Sequence, residues 1–237
     1  RINEKNVLRK AGLIESTNPC GEQPLLPYES CNLGSINVAR CVVNNGKSVR
    51  VDYELLNDIT YKAVHFLDNV IDVNNYPLPI IGEKTKANRK IGLGIMGFAD
   101  MLIALGIPYD SEAALGVAKN IMSAIQDASK EASRALAKER GAFPNFPLSE
   151  YAHNGDEPLR NATTTTIAPT GTISIIAGTS SGVEPIFALA YVRNVLDNNR
   201  LIESNPLFVE YCKEHGLFTD ELMQKVAQTG SVAHIDE

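Results

Sequence analysis

The sequence contains no tryptophan, and aromatic residues make up only 6% of its 237 residues. Aliphatic side chains must therefore supply most of the core, which a chain with 44% hydrophobic residues can build. Long apolar runs are also missing, and none approaches the ~18 residues that span a membrane. The composition predicts a globular protein of one large domain or two small ones, with no membrane-spanning segment.

Basic residues are outnumbered, with 22 Lys and Arg against 28 Asp and Glu, for a net charge of -6. This balance argues against a nucleic-acid partner, which usually meets a basic patch. It leaves room for a local cationic pocket that binds a phosphorylated small molecule.

Cysteine is scarce as well, with only four in the chain. Four cysteines are too few for a secreted disulfide scaffold, so we expect a cytoplasmic protein whose paired cysteines are catalytic. The first residues do not resemble a signal peptide. Because the chain starts at Arg1 without an initiator Met and stops abruptly at Glu237, we expect a fragment of a longer protein.

Hydrophobic periodicity and capping residues predict the secondary structure. We expect a short polar helix before residue 18 and a structured loop over 18–29, and residues 31–43 could be a strand or a helix start. The predicted helices cover 52–75, 94–105, 111–140 and two short segments around Val209 and Leu222. The predicted strands cover 162–168 and 186–196, and residues 142–158 are expected to be a loop.

The run Asn18-Pro19-Cys20-Gly21-Glu22 carries the first chemical signal. If the loop is extended, its alternate residues point to one side, which groups an amide, a thiol and a carboxylate. The alternative is a turn that contains a buried cysteine.

Two further segments could complete such a site. Cys31 follows Cys20 by eleven positions, too far for a CxxC motif, and is either a reductant in the same pocket or a buried small side chain. Residues 169–174, Pro-Thr-Gly-Thr-Ile-Ser, follow a β-branched strand and could offer backbone N–H groups to a phosphate or form a plain turn.

The segment Gly92–Gly97 matches GxGxxG, but polar residues precede it where a dinucleotide fold needs a strand. Close packing of a helix is our preferred interpretation of these glycines. Cys41 and Cys212 have no acid or base in a suggestive pattern, and the histidines have no metal-ligand spacing, so we expect no metal site.

Four motifs in this order resemble the large, catalytic subunit of ribonucleotide reductases. They are residues 18–25 (NPCGEQPL), 30–37 (SCNLGSIN), 88–94 (NRKIGLG) and 168–174 (APTGTIS). The Asn-Pro-Cys-Gly-Glu form is most similar to the adenosylcobalamin-dependent class II enzymes. The resemblance implies an α/β fold, in which residues 1–237 supply roughly the second half of a ten-stranded barrel around a central loop that carries the radical cysteine.

The resemblance also implies a role for each matching residue. Cys20 would become a thiyl radical that removes the 3′ hydrogen of the ribose, and Glu22 would take the 3′-hydroxyl proton. Asn18 would bind substrate hydroxyls, and Cys31 would be half of the reducing dithiol that ends as a disulfide. Substrate would contact the whole 18–22 loop and the diphosphate segment, which are Asn18, Pro19, Cys20, Gly21, Glu22, Pro169, Thr170, Gly171, Thr172, Ile173 and Ser174.

The implied reaction converts ribonucleotides to 2′-deoxyribonucleotides for DNA synthesis. The implied cofactor is adenosylcobalamin, and the implied partners are a ribonucleotide, a thioredoxin- or glutaredoxin-type reductant and a second copy of the chain. The second reducing cysteine and the allosteric site are expected upstream of Arg1, so the fragment alone should not turn over. Alternatives are a class I large subunit with a metal-containing radical-generating partner, a non-catalytic nucleotide-binding module on the same fold, and a dinucleotide-dependent dehydrogenase.

Overall fold

The computed structural model describes residues 1–195, 199–233 and 235. Eight α-helices are assigned within these ranges: α1 Tyr53–Val73, α2 Pro79–Asn88, α3 Phe98–Leu105, α4 Glu112–Arg140, α5 Glu150–His153, α6 Gly171–Ala177, α7 Pro206–Glu214 and α8 Asp220–Thr229. The strands assigned there are β1 Ser16–Thr17, β2 Pro24–Leu25, β3 Asn32–Asn37, β4 Val42–Asn44, β5 Val49–Val51, β6 Ile91–Met96, β7 Ala190–Val195 and β8 Asn199–Ser204. Short 3-10 turns occur at Ile2–Glu4, Val38–Cys41 and Phe146–Leu148.

Local capping accounts for the two long helices. The Asp52 carboxylate accepts a hydrogen bond from Leu55 N at 3.0 Å at the start of α1, and the Ser111 hydroxyl accepts one from Ala114 N at 3.2 Å at the start of α4. Such caps satisfy N–H groups that the first helical turn leaves without partners. Both helices and the two C-terminal ones, α7 and α8, were predicted, and the structure confirms all four.

A parallel strand pair lies at the centre of the fold. β3 and β6 pair in register over six residues, from Asn32 opposite Ile91 to Asn37 opposite Met96. The segment 163–166 lies parallel to the other edge of β6, because Ile91 N donates to Thr163 O at 3.1 Å and Leu93 N to Thr164 O at 2.9 Å. Three parallel extended segments with helices between them form a partial α/β barrel, as the sequence predicts.

The hydrophobic core lies between these strands and helices α1, α3 and α4. All six residues of β6 are buried, and Leu56, Ile71 and Ile121 from the helices are fully inaccessible to solvent. Each such side chain contributes about 1.5–3 kcal/mol through burial. This core holds in place the end of the sheet where β3 and β6 begin, and the candidate site described below lies at that end.

The structure corrects the assignment of the glycine-rich segment. Residues 94–96 belong to strand β6, so the predicted helix begins only at Phe98, and close helix packing is the wrong explanation of the glycines. A Cβ on Gly94 would lie 2.6 Å from the backbone oxygen of Thr166, so the bare glycine lets the neighbouring segment approach β6. A dehydrogenase motif is also excluded, because the glycines lie within the strand and not in a turn after it.

Other differences are smaller. The sequence does not predict helix α2, whose first turn contains Pro79. The ambiguous segment 31–43 contains strand β3, and the predicted strand at 162–168 has a single bridge at Thr165. The 142–158 loop includes α5, and the strand predicted over 186–196 is β7, with residue 196 outside the described residues.

In the ranges 1–195 and 199–233, no helix combines the length and the hydropathy that crossing a membrane requires.

Candidate active site

The loop over residues 18–23 is the tip of a short antiparallel hairpin. Strands β1 and β2 pair Ser16 with Leu25 and Thr17 with Pro24, and Asn18 N donates to Gln23 O at 3.2 Å. Gly21 N donates to Asn18 O at 3.0 Å, which closes a tight turn around Pro19 and Cys20. Proline is favoured at the second position of such a turn and asparagine at the first.

This turn changes the predicted geometry of the loop. An extended loop was expected to present residues 18, 20 and 22 on one side, and that expectation is wrong because the chain reverses direction. Cys20 lies exposed at the tip, whereas Asn18 and Glu22 are half-buried. The alternative of a buried cysteine in a turn is wrong as well, since the Cys20 thiol is open to solvent.

The Asn18 side chain has one group engaged in the loop and one that faces no described partner. Its Oδ1 accepts a hydrogen bond from Gln23 N at 2.9 Å, which holds the two sides of the loop together. Its Nδ2 group donates to no residue within the described ranges. An amide held by its oxygen has a fixed orientation, so its donor is positioned in advance for a ligand.

Two buried oxygen atoms beside this loop have no hydrogen-bond partner among the described residues, Glu22 Oε2 and Gln23 Oε1. Gln23 is 2% exposed, and its Nε2 donates to Thr163 Oγ1 at 3.3 Å. A buried oxygen without a partner costs about 1–3 kcal/mol, so such a pair is unusual in a folded chain. Glu22 Oε2 can accept a proton or hydrogen bond from a ligand donor.

The hairpin loop is fastened to the third extended segment. Thr166 Oγ1 donates to the backbone oxygen of Glu22 at 2.8 Å, and Thr163 Oγ1 donates to Ile91 O at 3.1 Å. The bare glycines of β6 make this approach possible, because a Cβ on Gly92 would lie 2.8 Å from Thr166 Cγ2 and 3.0 Å from Gln23 Oε1. The hairpin loop is thus held against strand β6 and residues 163–166.

Cys31 lies immediately before strand β3 and is largely buried. Its thiol is 3.3 Å from the backbone oxygen of Asn32, to which it donates. Burial raises its pKa to about 12, the nearby Lys90 charge lowers it, and the charges of Glu29 and Glu22 raise it. The thiol is therefore protonated at neutral pH.

A buried ion pair lies next to Cys31. Lys90 Nζ is 2.7 Å from Glu29 Oε2, and the two side chains are 3% and 1% exposed. Glu29 also accepts a hydrogen bond from Leu26 N at 2.5 Å and another from the Asn88 amide. This pair ties the segment after the hairpin to the start of β6.

The predicted phosphate segment forms the first turn of α6 and the residues before it. Thr170 has a left-handed backbone with φ 57, and its hydroxyl accepts a hydrogen bond from Gly182 N at 2.7 Å. Ser174 is 1% exposed, and its hydroxyl lies 2.9 Å from Ser181 Oγ. These two hydroxyls therefore shape the turn, and the exposed backbone of residues 171–173 is the part that faces outward.

The structure separates the remaining candidates from this region. Cys41 is buried in the main core, and Cys212 is buried in helix α7. His65 lies on α1 with its Nε2 2.9 Å from Arg140 Nη2, and His234 lies outside the described residues. Cys41, Cys212 and His65 therefore lie apart from the hairpin loop.

Sequence reasoning missed the residues that hold the site together. Glu29 and Lys90 are 61 positions apart, and only the fold shows that they pair. One signal was available for Lys90, because a lysine that directly precedes a fully apolar strand is placed at the end of a buried element and needs a partner there. Gln23 gave no signal beyond its position next to Glu22.

Comparison with known proteins places the chain in a family. A family model described as the ribonucleotide reductase barrel domain matches residues 1–237. A vitamin B12-dependent ribonucleoside-diphosphate reductase of Thermoplasma acidophilum is 56% identical over 234 residues, covering 99% of this chain and 30% of that protein. A protein of the same name from Mycobacterium tuberculosis is 53% identical over 231 residues, covering 98% of this chain and 32% of that protein.

A solved structure gives the same result for the fold. The Actinobacillus ureae class Id ribonucleotide reductase alpha subunit superposes with a TM-score of 0.71 at 25% identity, covering 96% of this chain and 41% of that chain. The chain spans about a third of the length of the curated relatives that it matches. Because the match extends over the whole chain, including the hairpin loop and the β3–β6 pair, this chain belongs to the ribonucleotide reductase family and forms part of its barrel domain.

Proposed function

We propose that the protein containing this chain reduces ribonucleotides to 2′-deoxyribonucleotides through a thiyl radical on Cys20, and that adenosylcobalamin is its cofactor. The observation that carries the proposal is the hairpin loop, where an exposed thiol is followed two residues later by a buried carboxylate oxygen without a partner. The two B12-dependent relatives above, at 53% and 56% identity, support the cofactor and favour a ribonucleoside diphosphate as substrate.

Cys20 is suited to the first step because its sulfur lies at the tip of a closed turn. A thiyl radical there removes the hydrogen atom from C3′ of the ribose, which re-forms the S–H bond and leaves the radical on the sugar. The turn bond between Gly21 N and Asn18 O limits the motion of the sulfur, which favours a near-attack geometry.

Glu22 and Asn18 act on the ribose hydroxyls in this proposal. The Glu22 carboxylate accepts the 3′-hydroxyl proton, a task for which an oxygen without a competing partner is available. The Asn18 Nδ2 group donates to a substrate hydroxyl while its Oδ1 remains bonded to Gln23 N.

Cys31 supplies the reducing equivalents together with a second cysteine that lies outside this chain. The 2′-hydroxyl receives one proton and leaves as water, and C2′ receives the second proton and the two electrons as the two thiols form one disulfide. Cys20 then returns its hydrogen atom to C3′, which restores the thiyl radical. A pKa of about 12 keeps Cys31 in the S–H form that this step consumes.

Residues 169–173 anchor the substrate diphosphate. The exposed N–H groups of Gly171, Thr172 and Ile173 are the donors, since the N–H of Ser174 already bonds to Thr170 O at 2.9 Å. Thr170 and Ser174 hold the turn in shape, so their predicted role in binding is indirect.

The described residues fit a radical-generating cofactor in one respect, which is the open face of the Cys20 thiol. When bound, adenosylcobalamin supplies the one-electron chemistry that takes the hydrogen atom from a thiol. Shielding of the radical from water would come from the closed barrel of the intact protein.

The wider context belongs to the same proposal. Residues 1–237 would form one catalytic unit, and the deoxyribonucleotides would serve DNA synthesis in the cytoplasm. A dithiol protein of the thioredoxin or glutaredoxin type would reduce the disulfide again. The family relationship supports a homodimer as the assembly.

The test is reduction of a ribonucleoside diphosphate by the intact protein with a dithiol reductant, followed by chromatography of the deoxynucleotide. We expect product only when adenosylcobalamin is added. Product formed with a diiron partner subunit and no cobalamin would refute the class II assignment, and absence of product under both conditions would refute the reductase assignment. Cys212→Ala, in a buried cysteine of helix α7, is the matched control and should retain activity.

A further inference from the structure

The Glu29–Lys90 ion pair is buried, and a buried ion pair contributes little to net stability. Taking both ions out of water costs several kcal/mol each, and their attraction largely offsets that cost without exceeding it. The pair lies under the segment that leads from the hairpin loop to Cys31, with Lys90 Nζ also donating to Pro24 O at 3.3 Å. Its position suggests a role connected with that segment.

The register of the parallel strands places Cys31 beside Lys90. Asn32, the first residue of β3, pairs with Ile91, the first residue of β6. Cys31 and Lys90 each come one residue before this pair, on neighbouring strands. Neighbouring strands lie about 4.8 Å apart, so the backbones at Cys31 and Lys90 are adjacent. Glu29, two residues before Cys31, binds the same ammonium at 2.7 Å.

Three charged groups act on the Cys31 thiol. Lys90, from the start of β6, favours the thiolate, while Glu29 from the preceding segment and Glu22 from the hairpin loop oppose it. A lysine next to a cysteine ordinarily activates the sulfur by stabilising its thiolate. Here the lysine directly contacts a carboxylate, which offsets part of its effect on the sulfur.

We propose that Glu29 and Lys90 are positioning residues for the reductant, in which Glu29 binds the Lys90 ammonium and so limits how far that charge favours the Cys31 thiolate. The proposal deepens the proposed function and rests on Cys31 being half of the reducing dithiol. Burial of the sulfur is the larger effect and raises its pKa to about 12.

The arrangement has a chemical consequence for the reducing step. A thiol reacts more slowly than its thiolate with oxidants and disulfides. By offsetting part of the Lys90 charge, the carboxylate of Glu29 lowers the thiolate fraction of Cys31. Removing that carboxylate leaves the Lys90 charge to act on the sulfur.

The test is the alkylation rate of Cys31 in the fully reduced intact protein, measured by mass spectrometry of its peptide after timed iodoacetamide treatment between pH 7.5 and 10. The thiolate attacks the reagent carbon and iodide leaves, so the rate follows the thiolate fraction. We expect Glu29→Gln to raise the rate at a given pH at least about tenfold, which corresponds to one unit of pKa. Lys90→Met should lower it by a similar factor, and the double variant should lie near the unsubstituted protein.

Opposite shifts from the two single variants are the result that supports the proposal. If all three variants accelerate alkylation equally, the pair only keeps the segment packed, and the proposal is overturned. If Lys90→Met does not fold, the comparison of Glu29→Gln with the double variant decides, because only the former retains an uncompensated ammonium. Turnover is not needed for this readout, so failure of the reductase assignment would be seen separately, as absence of deoxynucleotide.

Discussion

Arg89 and Lys90 are adjacent in the chain and both are buried cations, yet they bind acids in different parts of the molecule. Arg89 has a left-handed backbone with φ 45, and its guanidinium bonds to Asp68 and Asp72 on helix α1. Lys90 points to Glu29 in the segment between the hairpin and β3. The turn at the end of α2 therefore directs the Arg89 guanidinium toward helix α1 and the Lys90 ammonium toward the candidate active site.

The Arg89 region is a fully connected network that holds the fold. Asp68 Oδ1 accepts from Arg89 Nε at 2.9 Å and from Asn161 Nδ2 at 2.9 Å, while its Oδ2 accepts from Arg160 Nε at 3.2 Å. The network joins α1, the start of β6 and the chain before residue 163. The Lys90 pair joins fewer elements and lies beside Cys31, so we propose that the same kind of interaction serves stability in one place and chemistry in the other.

The largest effect on stability should come from Asp68→Asn. It removes one of the two carboxylates that bind the buried Arg89 guanidinium and the one that Arg160 contacts at 3.2 Å, which costs about 3–5 kcal/mol in the free energy of unfolding. Denaturant unfolding of the intact protein measures the loss. Asp58→Asn on the same helix, which breaks an exposed pair with Lys62 at 2.7 Å, is the control and should cost less than about 1 kcal/mol.

Glu29→Gln should cost less stability, about 1.5–3 kcal/mol, because glutamine still accepts hydrogen bonds from Leu26 N and Lys90. The comparison is sharpened by measuring Cys31 alkylation in both variants. Glu29→Gln should shift the pH profile of Cys31 alkylation, whereas Asp68→Asn should leave that profile unchanged. A shift of the profile in Asp68→Asn would show that the two regions are not separate.

Gly94→Ala tests the contact between β6 and the third extended segment. The new Cβ would lie 2.6 Å from the Thr166 backbone oxygen, which cannot move without disturbing the bond from Thr166 to Glu22 O. We expect a loss of about 1–3 kcal/mol and lower reductase activity. Gly116→Ala, in α4 with no atom near the new Cβ, should instead stabilise the protein by about 0.5–1 kcal/mol, and equal effects at the two glycines would contradict this account.

The smallest effect should come from Asp72, at the exposed edge of the Arg89 network. The hydrogen bond from Arg89 lowers the pKa of this carboxyl, aided by the charges of Arg89, Arg160 and Lys86, while partial burial opposes the shift. A lowered pKa contributes stability that is present above about pH 4 and is lost as the pH falls through the folded-state value. Asp72→Asn should therefore flatten the pH dependence of stability below pH 4 and leave it unchanged between pH 6 and 8, as thermal unfolding across this range would show.

The sequence predicts those parts of the fold that depend on local patterns. Helix α1 has its cap and its apolar stripe within one continuous stretch, and the hairpin loop has its chemical groups within five residues. The strand nature of residues 91–96 could not be predicted, because β6 is defined by partners in β3 and in residues 163–166, far away along the chain. The glycines at every second position of β6 remove the polar–apolar alternation that marks a strand in the sequence. Their role is clear only from the fold, in which Thr166 occupies the space that they leave.

The site shows the same division. Cys20, Glu22 and Asn18 are close in sequence, so their presence in one loop was predictable. The turn that leaves Cys20 exposed and the other two half-buried was not. The partnership of Glu29 with Lys90 depends on two segments that meet only in the folded chain. Substrate contact by Thr170 and Ser174 stays a prediction, and the structure adds that their hydroxyls form hydrogen bonds within the turn.

The most direct test of the central claim is a Cys20→Ser substitution in the intact protein, with deoxynucleotide formation and nucleotide binding measured on the same sample. Serine keeps the size of the side chain and the turn around Pro19, but its O–H bond is too strong to form the hydrogen-abstracting radical. We expect no detectable deoxynucleotide and an unchanged affinity for the ribonucleotide. Retained reduction by the serine variant would contradict the radical role of Cys20.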